Sequence, residues 1–516
     1  MKPLFLFFLF VAGYAGARAQ SILYAPESIP VKGSEGFEIV GKSAGYYIVS
    51  KQIGGAESVL FYDGELRQRQ QVLLGLDKKR FRLIGFSVHA TGVYALSTSS
   101  TRKYHYLYAS FISNATFSAG PPRLLDSFPV LTGSNTRFHL IRSRNGEQIA
   151  LYKVNRSFRQ KALFLDIALI DAGRFTHRKR TLMFPSFAPQ QNVEGVELAD
   201  NGNFYFAVAG RPANGGYIRQ LAFCTLAAGA DTVQSTAVPV NDLYPDRVQL
   251  FINNRQQTCT LFSFGSFRSE GNIDGIFTAS VDMTGKKPVQ SHTYRFTDKE
   301  RIEANKRISL DISFNDYYIT DVVAKSGGGI IIIAECFYTA SRETNVNRWQ
   351  RPFPDGWSNT AATPLNFSEQ AQQGSIAYGS IEPGTTPGLR TNTFPGENLF
   401  HAENLLLLNI DDGGITSSIT FLNKRQQSNA ASELSYAGLK RTDALLLFFN
   451  EWAPQSAPIL KAVQVDASLE PVTLPVVKGL LPQYLLLNRM AVQVSNNELI
   501  IPSVFNNRFV FALLKY

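Results

Sequence analysis

Short apolar runs recur along this chain in groups of three or four, each run ended by Gly, Asn or Asp. The groups start near Phe37, Phe81, Arg137, Val193, Val248, Tyr318, Leu434 and Ala491. Their spacing is roughly 44 to 57 residues where no insertion intervenes. Within a group the first two runs flank a tight-turn pair: residues 46–51 follow Ala44-Gly45, 148–153 follow Asn145-Gly146, and 203–208 follow Asn201-Gly202. Such pairs supply the positive φ a hairpin turn needs. A third run follows (58–62, 163–170, 216–221, 275–281) and a more polar fourth closes the group (67–74, 176–184).

Four antiparallel strands per group, repeated with no helix between groups, predict an all-β wheel, a single β-propeller. The count is eight four-stranded blades, with seven as the alternative. The last group shows three clear strands, at 491–494, 498–502 and 508–515, while 21–31 stands unassigned ahead of the first group. Pairing 21–31 with 508–515 completes the last blade and closes the ring through its two ends, removing two exposed edges. Arg67, Arg69 and the run from His177 to Arg180 fall on fourth strands, where Lys and Arg block edge-to-edge pairing.

Two stretches break the repeat. Residues 297–311, containing DKERIEANKRI, carry charges at helical spacing and predict a short surface helix. The larger stretch, 339–403, interrupts the sixth unit between its second and third strands. In a four-stranded blade that loop opens on the same face as the link to the next blade, so both excursions are expected on one face.

The first part of the insertion packs Arg342, Arg348, Trp349, Arg351, Phe353, Asp355 and Trp357 into one short stretch, with two of the three Trp of the chain. Exposed Trp beside Arg is the composition of interaction hot spots, and Trp faces stack on rings of ligands. The competing reading is a small satellite core. Residues 361–397 are rich in Gly, Thr, Pro, Ser and Gln, a composition that predicts mobility. Glu335, in GGGIIIIAECFY, places a carboxylate inside an apolar strand, facing either the central channel or a nearby Arg, with a structural ion pair favoured over a catalytic role. The candidate binding set is therefore Arg342, Arg348, Trp349, Arg351, Asp355, Trp357 and Glu335, with no catalytic residue assigned.

The chain's beginning reads as an export signal over residues 1–19: Lys2, an apolar core at 4–11, and Ala17-Arg18-Ala19 before Gln20. The propeller would then span 20–516. No later run is long enough for a membrane-spanning helix. The formal charge of +10 falls by two on cleavage and stays positive. A basic surface draws acidic glycans and anionic head groups, and it also serves solubility and edge protection; no nucleic-acid motif accompanies it. Cys224, Cys259 and Cys336 lie in strand-like runs, so burial is expected, with a Cys224–Cys259 bridge as the alternative.

The sequence carries no local motif of catalysis or metal binding. The six His form no metal-ligand pair, and GxSxG, P-loop and dinucleotide patterns are missing. Asp411-Asp412-Gly413-Gly414 lacks EF-hand spacing and reads as a hairpin turn. Asp311, Asp316 and Asp321 approach a channel strand, where a cation site is the lesser reading. Neither cofactor nor metal is expected.

The segments ITDVVAKSGGGIIIIAECFYTASR, ENLLLLNIDDGGI and FLNKRQQS resemble exported β-propeller-like proteins of Bacteroidetes, mostly uncharacterised, within the WD40-like propeller superfamily in its broad sense. The WD signature, the kelch double glycine and the SxDxGxTW box are missing. The resemblance implies fold and compartment only. Beyond it, the composition of the insertion leads to the expectation of a monomeric, non-enzymatic binding or scaffold protein of the periplasm or exterior, engaging an envelope protein or acidic glycan through one propeller face. The alternative is a glycan-active hydrolase or lyase with carboxylates at the channel mouth.

Overall fold

A computed structural model describes residues 21–516 except 31–36, 54–55, 78–79, 131–136, 158–161, 174–175, 185–190, 213–215, 241, 286, 306–309, 340–398, 429–432, 442–443, 452–458, 476 and 507. The strands form eight antiparallel sheets; seven run in chain order from inner to outer strand, and the eighth takes its outer strand from residues 21–24. Their first strands are Phe37–Ser43, Arg82–His89, His139–Arg142, Gln191–Leu198, Gln249–Asn253, Tyr317–Ala324, Ala437–Lys440 and Val492–Ser495. Each begins within about three residues of the position that turn spacing predicts.

Eight separate apolar cores fill the eight gaps between neighbouring sheets, which shows that the sheets close into one ring. A blade is covered on both faces, and this explains why its middle strands read as nearly unbroken apolar runs. In blade 3, Ile149 and Leu151 enter the core shared with blade 2, while Ala150 and Tyr152 enter the core shared with blade 4. In blade 6, Ile330 and Ile332 face blade 5, and Ile331 and Ile333 face blade 7. Fourth strands lack an outer neighbour and stay polar, as in Gln68–Leu73.

The ring closes through its ends. Ser21–Tyr24 pairs with the last strand, Arg508–Lys515, in the register Ser21 with Lys515 and Tyr24 with Ala512. Ile29–Pro30 extends the pairing at Phe509 and Arg508. Eight blades, not seven, result.

One strand departs from its expected bounds. The third strand of blade 4 is Gln220–Leu226, not 216–221. Gly216 takes φ +110°, and the Ile218 amide bonds Pro245 O of the next blade, so this part of the run crosses between blades before it can pair. The cysteines 224, 259 and 336 are buried free thiols without a bridge.

The charged stretch after blade 5 forms a helix, α1 (Asp298–Ala304). Thr297 accepts from the Glu300 amide while Glu300 accepts from the Thr297 amide, a reciprocal cap that sets its start. Asn404, on the third strand of blade 6, donates to Glu303 O at 3.3 Å. The helix therefore sits beside the root of the insertion, on the face expected of both.

Candidate functional site

Glu335 follows the side-chain alternation of Ile331 and Ile333, so it points into the seam between blades 6 and 7. It is fully buried there. Its Oε1 lies 2.6 Å from Lys424 Nζ, also fully buried, and Ser435 Oγ donates to Oε2 at 2.6 Å. Lys424 donates onward to Gln426 at 2.7 Å, and Gln426 donates to the carbonyls of Ser435 and Asn450. Asn450 reaches Leu486 O in blade 8 at 2.7 Å. Glu335 thus anchors a polar chain stitching three blades. Burial pushes the Lys424 ammonium below its ordinary value, an effect opposed by the Glu335 charge. Arg489, on the channel wall of blade 8, also feels that carboxylate.

At the insertion root, the Tyr338 hydroxyl donates to Glu403 at 2.9 Å and its ring stacks on His401 with centroids 4.7 Å apart. Arg342, Arg348, Trp349, Arg351, Asp355 and Trp357 lie outside the described residues.

The first strands of all eight blades surround a cavity of about 880 Å³, the axial channel. Six basic side chains line it, Lys42, Arg142, Arg144, Lys440, Arg441 and Arg489, against three acidic ones, Glu38, Glu197 and Asp321. Lys42, Arg144, Lys440 and Arg441 sit at or just past the ends of first strands, where the chain turns back into the second. These turns share one face: the Asn145 amide donates to Asp200 at 3.0 Å, and the Asp200 amide to Asn254 at 3.2 Å. The insertion leaves from the far end of a second strand, so the basic turns occupy the opposite face.

Asp321 is ion-paired, while Glu197 and Glu38 act on neighbouring cations through their charge. Asp321 pairs with Lys440 at 2.9 Å. Burial raises the Asp321 carboxyl to about 7 and lowers the Lys440 ammonium to about 8, each opposed by the other's charge. Burial likewise raises Glu197 to about 7, with Arg144 acting against it. Arg142 is lowered to about 10 by burial, with Glu38 opposing; its guanidinium donates to Phe86 O. Lys42 bonds Glu498 at 2.6 Å. Among the described residues no group of three or more His, Cys, Asp or Glu could hold a metal ion; Asp321 is taken by Lys440.

Of the seven residues in the candidate binding set, only Glu335 falls within the described residues. The basic lining of the channel was missed. Its signal is present all the same: Arg-Ser-Arg before Asn145-Gly146 and Lys-Arg at 440–441 both occupy first-hairpin turns. Aligning the ends of first strands across units brings these charges together.

No protein-family model and no curated protein matches the chain. Solved structures similar to it include the WD40 domain of SCAP from fission yeast, at 8% identity over 96% of this chain and 98% of that one with a TM-score of 0.38. Polysaccharide lyase Uly1 is 9% identical over 96% and 99% of the two chains, with a TM-score of 0.38. The β-propeller domain of the Trilobed protease from Pyrococcus furiosus is 8% identical over 85% and 94%, with a TM-score of 0.35. The likeness is one of fold; the blade count rests on strand pairing, and no activity passes between these proteins.

Proposed function

We propose that this is an exported, non-enzymatic binding protein of the cell envelope that engages an acidic glycan at its axial channel. The observation supporting this is the twofold excess of cations over carboxylates in the lining, inside walls that focus their field. The carboxylates, each set against a cation, temper that field without reversing it. Titration calorimetry against polygalacturonate, dextran sulfate and neutral dextran tests the reading. Binding of at least one polyanion and not of dextran, weakening with salt, is expected; equal affinity for dextran, or no binding of either polyanion, ends it. The insertion's Trp349 and Trp357, with Arg342, Arg348, Arg351 and Asp355, are proposed as a second contact surface on the opposite face. W349A/W357A should lose capture of an envelope partner and keep polygalacturonate binding.

A glycan-active hydrolase or lyase is the second reading, favoured by Glu197. Its carboxyl, raised to about 7, faces the channel in the range suited to proton transfer. It requires chain cleavage, seen as new reducing ends or unsaturated-uronate absorbance, that disappears in E197Q.

A further inference from the structure

Arg211 and Arg301 show what an arginine placed for structure looks like in this protein. Arg211 donates to Gly216 O, Glu194 and Asp246 O, and Arg301 to Leu310 O and Asp274. Arg144 is different. It leaves a hairpin turn of blade 3, yet its guanidinium lies 3.9 Å from the ring centroid of Phe251 in blade 5. Among the described residues that guanidinium makes no hydrogen bond and no ion pair; the charges of Glu197 and Asp200 reach it only at longer range. It is open to solvent, while surrounding protein lowers its pKa below the usual value. Both hold at once for a side chain projecting into a lumen. Lys440 of blade 7, opposite blade 3 in a ring of eight, lines the same cavity and is itself paired with Asp321 at 2.9 Å.

The turn that carries Arg144 is held on both sides. Ser143 Oγ bonds Asn145 at 2.6 Å, the Gln148 amide donates to Ser143 Oγ at 2.9 Å, and the Asn145 amide is fixed to Asp200 of blade 4. Gly146 supplies the positive φ of +73° the turn requires. Phe251, 5% exposed, is seated in the core shared by blades 5 and 6. The guanidinium is therefore preorganised: one face lies on a rigid ring and its N–H edge is unspent. A stacked guanidinium with a free edge matches the paired oxygens of an oxyanion, and preorganisation reduces the ordering cost of binding.

Resting on the reading of the protein as an acidic-glycan binder, we infer that Arg144 on Phe251 is the receptor for an oxyanion borne by that glycan, a uronate carboxylate or a sulfate ester, with Lys440 as the opposing cation. The anion takes the free N–H edge of Arg144, and Lys440, paired with Asp321, adds positive charge across the lumen.

Binding of polygalacturonate and dextran sulfate is measured for wild type, R144Q, R144K and R67Q, with melting curves to check folding. R144Q is expected to weaken binding by about tenfold or more, the worth of a hydrogen bond to a charged group. R144K keeps the charge, loses the planar fork and stays several-fold weaker than wild type. R67Q removes the same charge from an exposed outer edge and stays within about twofold, since remote exposed charges are screened. Which polymer binds identifies the carboxylate or the sulfate as the recognised group. Wild-type affinity in R144Q overturns the assignment and leaves the broader reading standing; no binding of either polymer by wild type overturns both. F251L, which removes the ring and keeps both charge and apolar core, is the second variant. Unchanged affinity in F251L counts against the stacked receptor as well.

Discussion

Removing the Glu335 carboxylate should be one of the most damaging single changes to this fold. In E335A, Lys424 stays fully buried and loses its counter-charge at 2.6 Å, Arg489 loses the charge that offsets its own burial, and Ser435 loses its acceptor. Breaking a buried pair by deleting one partner costs about 3–5 kcal/mol, because the survivor keeps its desolvation penalty without compensation. An unfolding entropy of about 2.1 cal/mol/K per residue over this 516-residue chain comes to about 1 kcal/mol/K, so the melting point should fall by about 3–5 °C. Calorimetry on wild type, E335A, K424M and E335M/K424M measures this. The double variant should recover part of the loss, since two apolar side chains of similar length refill the seam; recovery is incomplete because Arg489 still lacks the Glu335 charge. An E335A protein melting within about 1 °C of wild type would falsify the claim that this pair joins blades 6 and 7.

Three further outcomes are expected. Glu197, with a folded-state pKa of about 7 above its ordinary 4.5, holds its proton more tightly when folded. Its contribution to stability is present below pH 4.5 and lost as pH rises through 7, so urea midpoints should show E197Q gaining on wild type between pH 5 and 8; a constant gap contradicts this. Ile22, 6% exposed in the core shared by blades 7 and 8, belongs to the strand that closes the ring, and I22A should cost about 2–4 kcal/mol by urea titration. A loss under about 0.5 kcal/mol would show that closure does not depend on that strand. The three cysteines are buried, with the Cys224 thiol raised to about 11, so a thiol reagent should label none in the native protein and three after unfolding. Only one labelled thiol in the unfolded protein would reveal a bridge.

The wheel was legible in the chain because each blade repeats a local pattern: turn pairs at Asn145-Gly146 and Asn201-Gly202, apolar middle strands, and polar outer ones. Strand starts, the α1 cap at Thr297 and the pairing of 21–24 with 512–515 all follow from short-range rules and from the need to leave no open edge. The partner of Glu335 is a Lys and not the expected Arg, and it was not legible: Lys424 comes 89 positions later, beyond the insertion, and a Lys-Arg pair just past a strand end reads as solvent-exposed.

Ring closure decided the rest. Arg144, Phe251 and Lys440 belong to blades 3, 5 and 7, and no local spacing joins them. A strand pattern determines which side chains leave a sheet; only the closed circle determines which of those leaving the first strands meet on the axis. There low-dielectric walls surround the lumen, so charges that would be more fully screened on an open surface act on one another.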